Sequence, residues 1–142
     1  MALEDFFHNL NPHNHKITSN ATIDYNCIAW AAGANNRWWD PTENPNYFWP
    51  EGIPHVDDVD TIVKVFVALG YMLSQSRDLE PGFEKVAIYG DGAGFTHAAR
   101  QLPSGKWTSK LGDWEDIEHN NLEALEGEFY GKAVQILKRA VK

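Results

Sequence analysis

The sequence contains little of what several protein classes require. Its 142 residues include a single Cys, Cys27, which excludes an internal disulfide and a metal cluster held by thiolates alone. No apolar run reaches the roughly 18 residues of a membrane-spanning helix, so we expect no membrane span. Cations are also scarce, since 12 Lys and Arg face 20 Asp and Glu, and the net charge of −8 argues against nucleic-acid binding.

Targeting and cofactor signals are equally absent. No basic segment followed by an apolar one opens the sequence, so we expect a cytoplasmic protein, although non-classical export would leave the same pattern. Three glycines alternate at 90–94 without the spacing of a phosphate loop, which predicts a hairpin turn. His13 and His15 have no third ligand at a helpful spacing, so we expect neither a metal nor another cofactor.

Aromatic residues are abundant. Six Trp, five Tyr and seven Phe stand in a chain that is 43% hydrophobic, which is typical of a folded protein with a sizeable core. The length and the absence of a low-complexity linker predict a single domain over residues 1–142. The sequence leaves the oligomeric state open.

The pattern predicts helices first and strands later. A buried helix is expected over 24–32, with Asp24 as N-cap, and an amphipathic helix from Asp57 or Asp58 to Gly70. Between them, 35–56 holds four Pro and is predicted to be a long aromatic loop. Predicted strands are a short one at 71–74, a meander at 85–89, 95–102 and 107–111, and one at 130–139, after a partly helical, acidic stretch at 113–126. This order indicates an α+β fold.

Cys27 is a candidate nucleophile. In the first turn of the predicted helix, its thiolate would be stabilised by the helix dipole and by free backbone N–H groups. Those N–H groups could also stabilise an oxyanion. The alternative is a buried structural thiol, because free Cys packs as a small hydrophobe.

His97 is the candidate base. It begins a predicted strand after the Gly-rich turn and could accept the proton of Cys27. A third, orienting residue is expected on the next strand. A three-residue hairpin loop would place Ala99 opposite Ser109, with Ser109 on the His97 face, whereas a loop of two or four residues would pair Ser109 with Arg100. Gln101 and Thr108 therefore remain alternatives to Ser109.

The order of these residues resembles that of papain-like cysteine hydrolases, including the small bacterial cell-wall peptidases and amidases. The resemblance is carried by YNCIAWA at 25–31 and THAA at 96–99. It implies a papain-like α+β core in which an N-terminal helix bearing the Cys packs on an antiparallel sheet. It also implies hydrolysis or acyl transfer at an amide or ester bond, with Cys27 as nucleophile, His97 as base and Ser109 as third residue.

A second resemblance covers nearly the whole chain. The motifs YNCIAWA at 25–31, THAARQL at 96–102 and WTSKLG at 107–112 are similar to those of a family of small uncharacterised bacterial proteins. Membership in that family implies no reaction.

The main alternative to an enzyme is a non-catalytic module of the immunity or inhibitor type. Its aromatic loop at 37–50 would bind a protein or small ligand, because Trp and Tyr anchor many interfaces. Arg37 and Arg100 could bind a carboxylate or pair with acidic residues. Under either hypothesis, whether the partner is a peptide or amide substrate or a protein, the candidate binding residues are Asn26, Trp38, Trp39, Trp49, Arg100 and Gln101.

Overall fold

A computed structural model describes residues 3–42 and 44–141 of the chain. Two α-helices are present in these ranges, α1 at Cys27–Ala31 and α2 at Val59–Ala68. Single 3-10 turns lie at Leu3–Asp5 and Leu122–Leu125. The strands are β1 His15–Ile17, β2 Met72–Ser74, β3 Phe83–Gly90, β4 Phe95–Gln101, β5 Trp107–Lys110, β6 Asp116–His119 and β7 Lys132–Ala140.

All seven strands form one antiparallel sheet in the order β1-β6-β5-β4-β3-β7-β2. The hairpins β3–β4, β4–β5 and β5–β6 connect neighbours in sequence, whereas β7 inserts between β3 and β2. The long strands β3, β4 and β7 therefore lie inside the sheet, and the two edges are three-residue strands.

Apolar residues cover both faces of the central strands. Along β3, Val86 and Ile88 belong to one buried cluster, and Ala87 and Tyr89 belong to another, because successive side chains point to opposite faces. The helix-side core comprises Ile28, Ala31, Ile62, Phe66, Tyr71, Val86, Ile88, Ala98 and Leu137. The far-side core comprises Leu3, Phe7, Leu10, Ala87, Tyr89, Ala99, Trp107, Leu111, Ile117, Leu122, Ala124, Leu125 and Ile136.

The second helix matches its sequence signals. Asp58 is the N-cap and its carboxylate accepts a hydrogen bond from the Thr61 N–H, as expected of an acidic cap. Ile62 and Phe66 are fully buried at helical spacing against β3. Gly70 follows the helix at φ +99°, a left-handed conformation that glycine adopts without strain.

Other predicted elements differ from the structure. α1 begins at Cys27 with Asn26 as N-cap, so the assignment of this cap to Asp24 was wrong. The stretch 113–126, predicted to be partly helical, instead forms β6 and a 3-10 turn at Leu122–Leu125. Two of its polar residues, Asp116 and His119, are buried despite the acidic character of the stretch.

The predicted fold class was also wrong. The chain is mostly a seven-stranded antiparallel sheet with two short helices, and not a papain-like α+β core. The Cys-bearing helix α1 has only five residues, less than one and a half turns, because the chain leaves the helix at Ala32 and turns at Gly33, at φ +89°. Neither helix of the described ranges could span a bilayer, since the longer one, α2, has only ten residues.

Gly131, just before β7, makes the tightest backbone approach among the glycines of the described residues. Its φ is +68°, and a Cβ added there would overlap the Gly90 carbonyl and stand 2.8 Å from the Cα of Asp91. We predict that Gly131→Ala lowers the free energy of unfolding by about 3 kcal/mol, because strain and overlap add. Urea denaturation measures this loss.

The matched control is Gly92→Ala. Gly92 has a similar φ of +89° with nothing within 4 Å of the added Cβ, so only backbone strain of about 1 kcal/mol is expected. Equal losses in the two variants would show that the close approach of Gly131 to Gly90 does not matter.

Candidate functional site

The first candidate residue, Cys27, begins α1 on the helix side of the sheet. Part of the residue remains accessible, but its sulphur is enclosed, and the residue packs against the helix-side core. Burial raises the pKa of the Cys27 thiol to about 11, and the backbone N–H groups of Ala98, Ile28 and Cys27 itself only partly oppose this rise. At neutral pH the thiol is therefore protonated.

The second candidate, His97, lies in a buried chain of polar side chains that crosses three strands. Its Nε2 is 2.9 Å from Ser109 Oγ, and Ser109 Oγ is 2.8 Å from His119 Nε2. The Nδ1 of His119 lies 2.8 Å from the carbonyl oxygen of Asn121. All three side chains of the chain, His97, Ser109 and His119, are inaccessible to solvent.

The carbonyl at one end fixes the protons along this chain. Because the Asn121 carbonyl only accepts, His119 carries its proton on Nδ1, and its neutral Nε2 accepts from the Ser109 hydroxyl. Ser109 Oγ then accepts from His97 Nε2–H. The remaining atom, His97 Nδ1, is an unprotonated acceptor that is buried and has no hydrogen-bond partner in the part of the chain that the structure describes.

Aromatic rings hold the His97 imidazole in place. Tyr130 stacks on it with ring centroids 4.2 Å apart and planes inclined by 6°, and Tyr89 meets it edge-on at 5.3 Å. Burial, and then the nearby His119, hold the pKa of His97 well below its usual range. Burial also lowers the pKa of His119, to about 4. Both rings are therefore neutral at neutral pH.

The structure brings His97 to Ser109 but does not join Cys27 to either of them. The pairing of Arg100 with Thr108 sets the β4–β5 register that places Ser109 on the His97 face. His97 precedes Ala98 on β4, so their side chains point to opposite faces, and Cys27 packs with the Ala98 face. Among the described residues, His97 has no hydrogen bond to the thiol.

Asn26 has a structural position between the helix and the aromatic loop. Its Oδ1 accepts from the N–H groups of Ala29 and Trp39, at 3.2 and 3.1 Å, and its Nδ2 donates to the Trp39 carbonyl at 2.6 Å. The Asn26 side chain is buried. One amide therefore caps α1 and fixes the backbone of the loop at Trp39.

The aromatic loop at 37–50, of which Glu43 lies outside the described residues, folds on itself. Trp39 and Phe48 pair by a backbone bridge with ring centroids 4.7 Å apart, and Trp38 lies 6.2 Å from Tyr47. Trp39 and Trp49 pack against the helix-side core, and Trp49 Nε1 donates to the Pro54 carbonyl. These aromatic side chains remain partly accessible on an ordered frame.

The remaining candidates, Arg100 and Gln101, lie at the end of β4. The Arg100 guanidinium lies over the Trp30 ring, 5.1 Å from its centroid, and its Nε donates to the Trp30 carbonyl. Gln101 is buried on the other face, and its Nε2 donates to the carbonyls of Arg77 and Gly105. Neither residue contacts Cys27 through a hydrogen bond among the described residues.

Sequence reasoning missed His119 and Tyr130 as partners of the His97 network. The alternation of Asp116, Ile117, Glu118 and His119 is a strand signal that could have placed His119 beside Ser109. No sequence signal identifies the stacking of Tyr130. Within 3–42 and 44–141, no group of three or more His, Cys, Asp or Glu side chains is arranged to hold a metal ion.

Comparison with known proteins identifies a family. Residues 16–138 match the model of DUF7689, a domain of unknown function, and the chain belongs to this family. No curated protein and no solved structure matches the chain significantly.

The buried imidazoles predict a loss of stability in mild acid. An unfolded His has a pKa near 6.5, whereas His97 and His119 are depressed in the folded state, so below about pH 6.5 the unfolded chain takes up protons that the folded chain does not. The free energy of unfolding should fall as the pH drops from about 6.5 towards 4. His119 alone should account for about 3 kcal/mol of this loss.

Urea denaturation between pH 7 and 4 measures this slope. His119→Gln should flatten it, whereas the matched control His8→Gln, at an exposed position, should leave it unchanged. An unchanged slope in His119→Gln would contradict this prediction.

The enclosed thiol predicts slow alkylation. With a pKa of about 11, Cys27 should react with iodoacetamide at pH 7.5 about 100-fold more slowly than the same thiol in the urea-unfolded chain. Because no hydrogen bond joins the two side chains, His97→Ala should not slow the reaction further. Rapid alkylation below pH 8.5 that depends on His97 would contradict this and restore a thiol-enzyme hypothesis.

Proposed function

We propose that this protein is a non-catalytic module that binds a basic protein partner through its aromatic loop at 37–50. The observation that carries the proposal is a preformed aromatic surface. Trp38, Tyr47 and Trp49 are partly accessible, and the loop is already fixed by Asn26. A loop ordered before binding loses less conformational freedom when it binds, which favours affinity.

The charges around the loop favour a cationic partner. Asp40, Asp57 and Asp58 lie near one another, and none forms a salt bridge among the described residues. Burial raises the pKa of Asp57, and the neighbouring charges of Asp40 and Asp58 raise it further. A partner carrying Lys or Arg would relieve this repulsion and would be attracted by the net charge of −8.

The same geometry gives less support to a thiol hydrolase or acyltransferase. Such an enzyme needs a thiol that loses its proton near neutral pH to a base within hydrogen-bond reach. Here burial raises the pKa of Cys27, and His97 makes its hydrogen bond to Ser109 on the far side of β4. These contacts favour the structural interpretation of both residues.

The test combines partner capture with a loop variant. The parent protein, immobilised, should retain a basic protein from bacterial lysate, identified by mass spectrometry. Trp38→Ala should weaken binding of that purified partner at least 10-fold, because a central Trp commonly contributes about 2 kcal/mol or more to an interface.

A matched control keeps this test specific. Val67→Ala removes an apolar side chain that is more accessible than Trp38 from a different surface, α2, where 49% of the residue is exposed, and should leave affinity unchanged. Asp40→Asn should slow association and weaken its dependence on salt. A partner that binds Trp38→Ala as tightly as the parent would exclude the loop as its binding surface.

A further inference from the structure

A cavity lies at the end of β4. Its volume is about 550 Å³, which is in the range of small-ligand sites. Its walls are largely apolar and include Leu79, Pro81, Phe83, Leu102 and Pro103. No residue of the loop at 37–50 lines it.

One cationic residue lines this cavity and forms no salt bridge with a described carboxylate. Arg100 lines the cavity, and its only hydrogen bond within the described ranges is from Nε to the Trp30 carbonyl. Its two terminal nitrogens make no hydrogen bond to any described residue. Neither of them is fully enclosed by the protein. They are therefore open to a ligand, on a guanidinium whose plane is held over Trp30.

The carboxylates that share the cavity wall are already neutralised. Glu80 pairs with Lys138 at 2.8 Å and with Lys85 at 3.2 Å. Glu84 pairs with Arg139 at 2.5 Å. Among the described residues that line the cavity, the charge left without a contact partner is thus the positive charge of Arg100.

We propose that this cavity binds a carboxylate attached to an apolar body, with Arg100 holding the carboxylate. A guanidinium presents two parallel N–H groups that match the two oxygens of a carboxylate, which gives a strong and oriented pair. The apolar wall then buries the rest of the ligand. The same chemistry is offered by a free fatty or aromatic acid and by the C-terminal carboxylate of a peptide that ends in an apolar residue.

Calorimetric titration with sodium octanoate tests the site directly. The parent protein should bind octanoate, and it should bind 1-octanol at least 10-fold more weakly because the alcohol lacks the charge. Equal binding of acid and alcohol, or no binding of either octanoate or the peptide acid described below, would overturn the proposal.

Two variants locate the binding, and a third serves as control. Arg100→Gln should weaken octanoate binding at least 10-fold. Leu79→Asp changes a half-exposed wall residue, without touching Arg100, and should also weaken it. Arg37→Gln removes a guanidinium elsewhere, over Phe48, and should have no effect. Octanoate binding that survives both Arg100→Gln and Leu79→Asp would place the site elsewhere and refute the assignment.

A peptide pair distinguishes the two sources of carboxylate. Acetyl-Gly-Leu with a free carboxylate, compared with its amide, reports recognition of a chain end. Binding of the acid form alone supports the proposal with a peptide terminus as ligand, and binding of octanoate alone supports it with a free acid. Trp38→Ala should alter neither the octanoate titration nor the peptide titration, because Trp38 does not line the cavity. A failure of the carboxylate site is therefore distinguishable from a failure of the proposed loop interface.

Discussion

The amide of Asn26 determines whether the helix side of the molecule has a defined shape. α1 has only five residues, too few to be stable alone, and the loop that follows contains several prolines and, in its described residues, no regular element longer than a bridge. The buried Asn26 side chain joins them by three hydrogen bonds, accepting two and donating one, so each is ordered by the other. The aromatic surface and the enclosure of Cys27 both depend on this junction.

The elements that the sequence predicted correctly are those in which local pattern and burial agree. α2 has an acidic cap, apolar residues at helical spacing and a terminal glycine, and the structure confirms it over Val59–Ala68. The meander β3–β5 has apolar strands separated by Gly-rich or Pro-containing turns. The stretch 113–126 was predicted incorrectly because its strand is short, and its charged residues become buried only through pairing with β1 and β5.

The candidate site shows the same limit. The alternation of side chains predicted Ser109 as a neighbour of His97 for only one of the possible hairpin registers. That register is set by the pairing of β4 with β5. The helix α1 covers the Ala98 face of β4, and this choice of face is a property of the tertiary structure. It separates Cys27 from the His97 network on the opposite face. Residue type and order along the chain contain no information on that choice. The third partner, His119, depends likewise on the pairing of β5 with β6.

The order of the strands also determines when the protein can fold. β1, near the start of the described chain, pairs with β6 about a hundred residues later, and β7 must insert between two strands made long before it. During synthesis the central hairpins can close early, because their partners are adjacent in sequence. The open edge of β3 stays unpaired until residues 132–140 have left the ribosome, so β3, with buried residues on both faces, is the segment that most needs protection from aggregation before synthesis is complete.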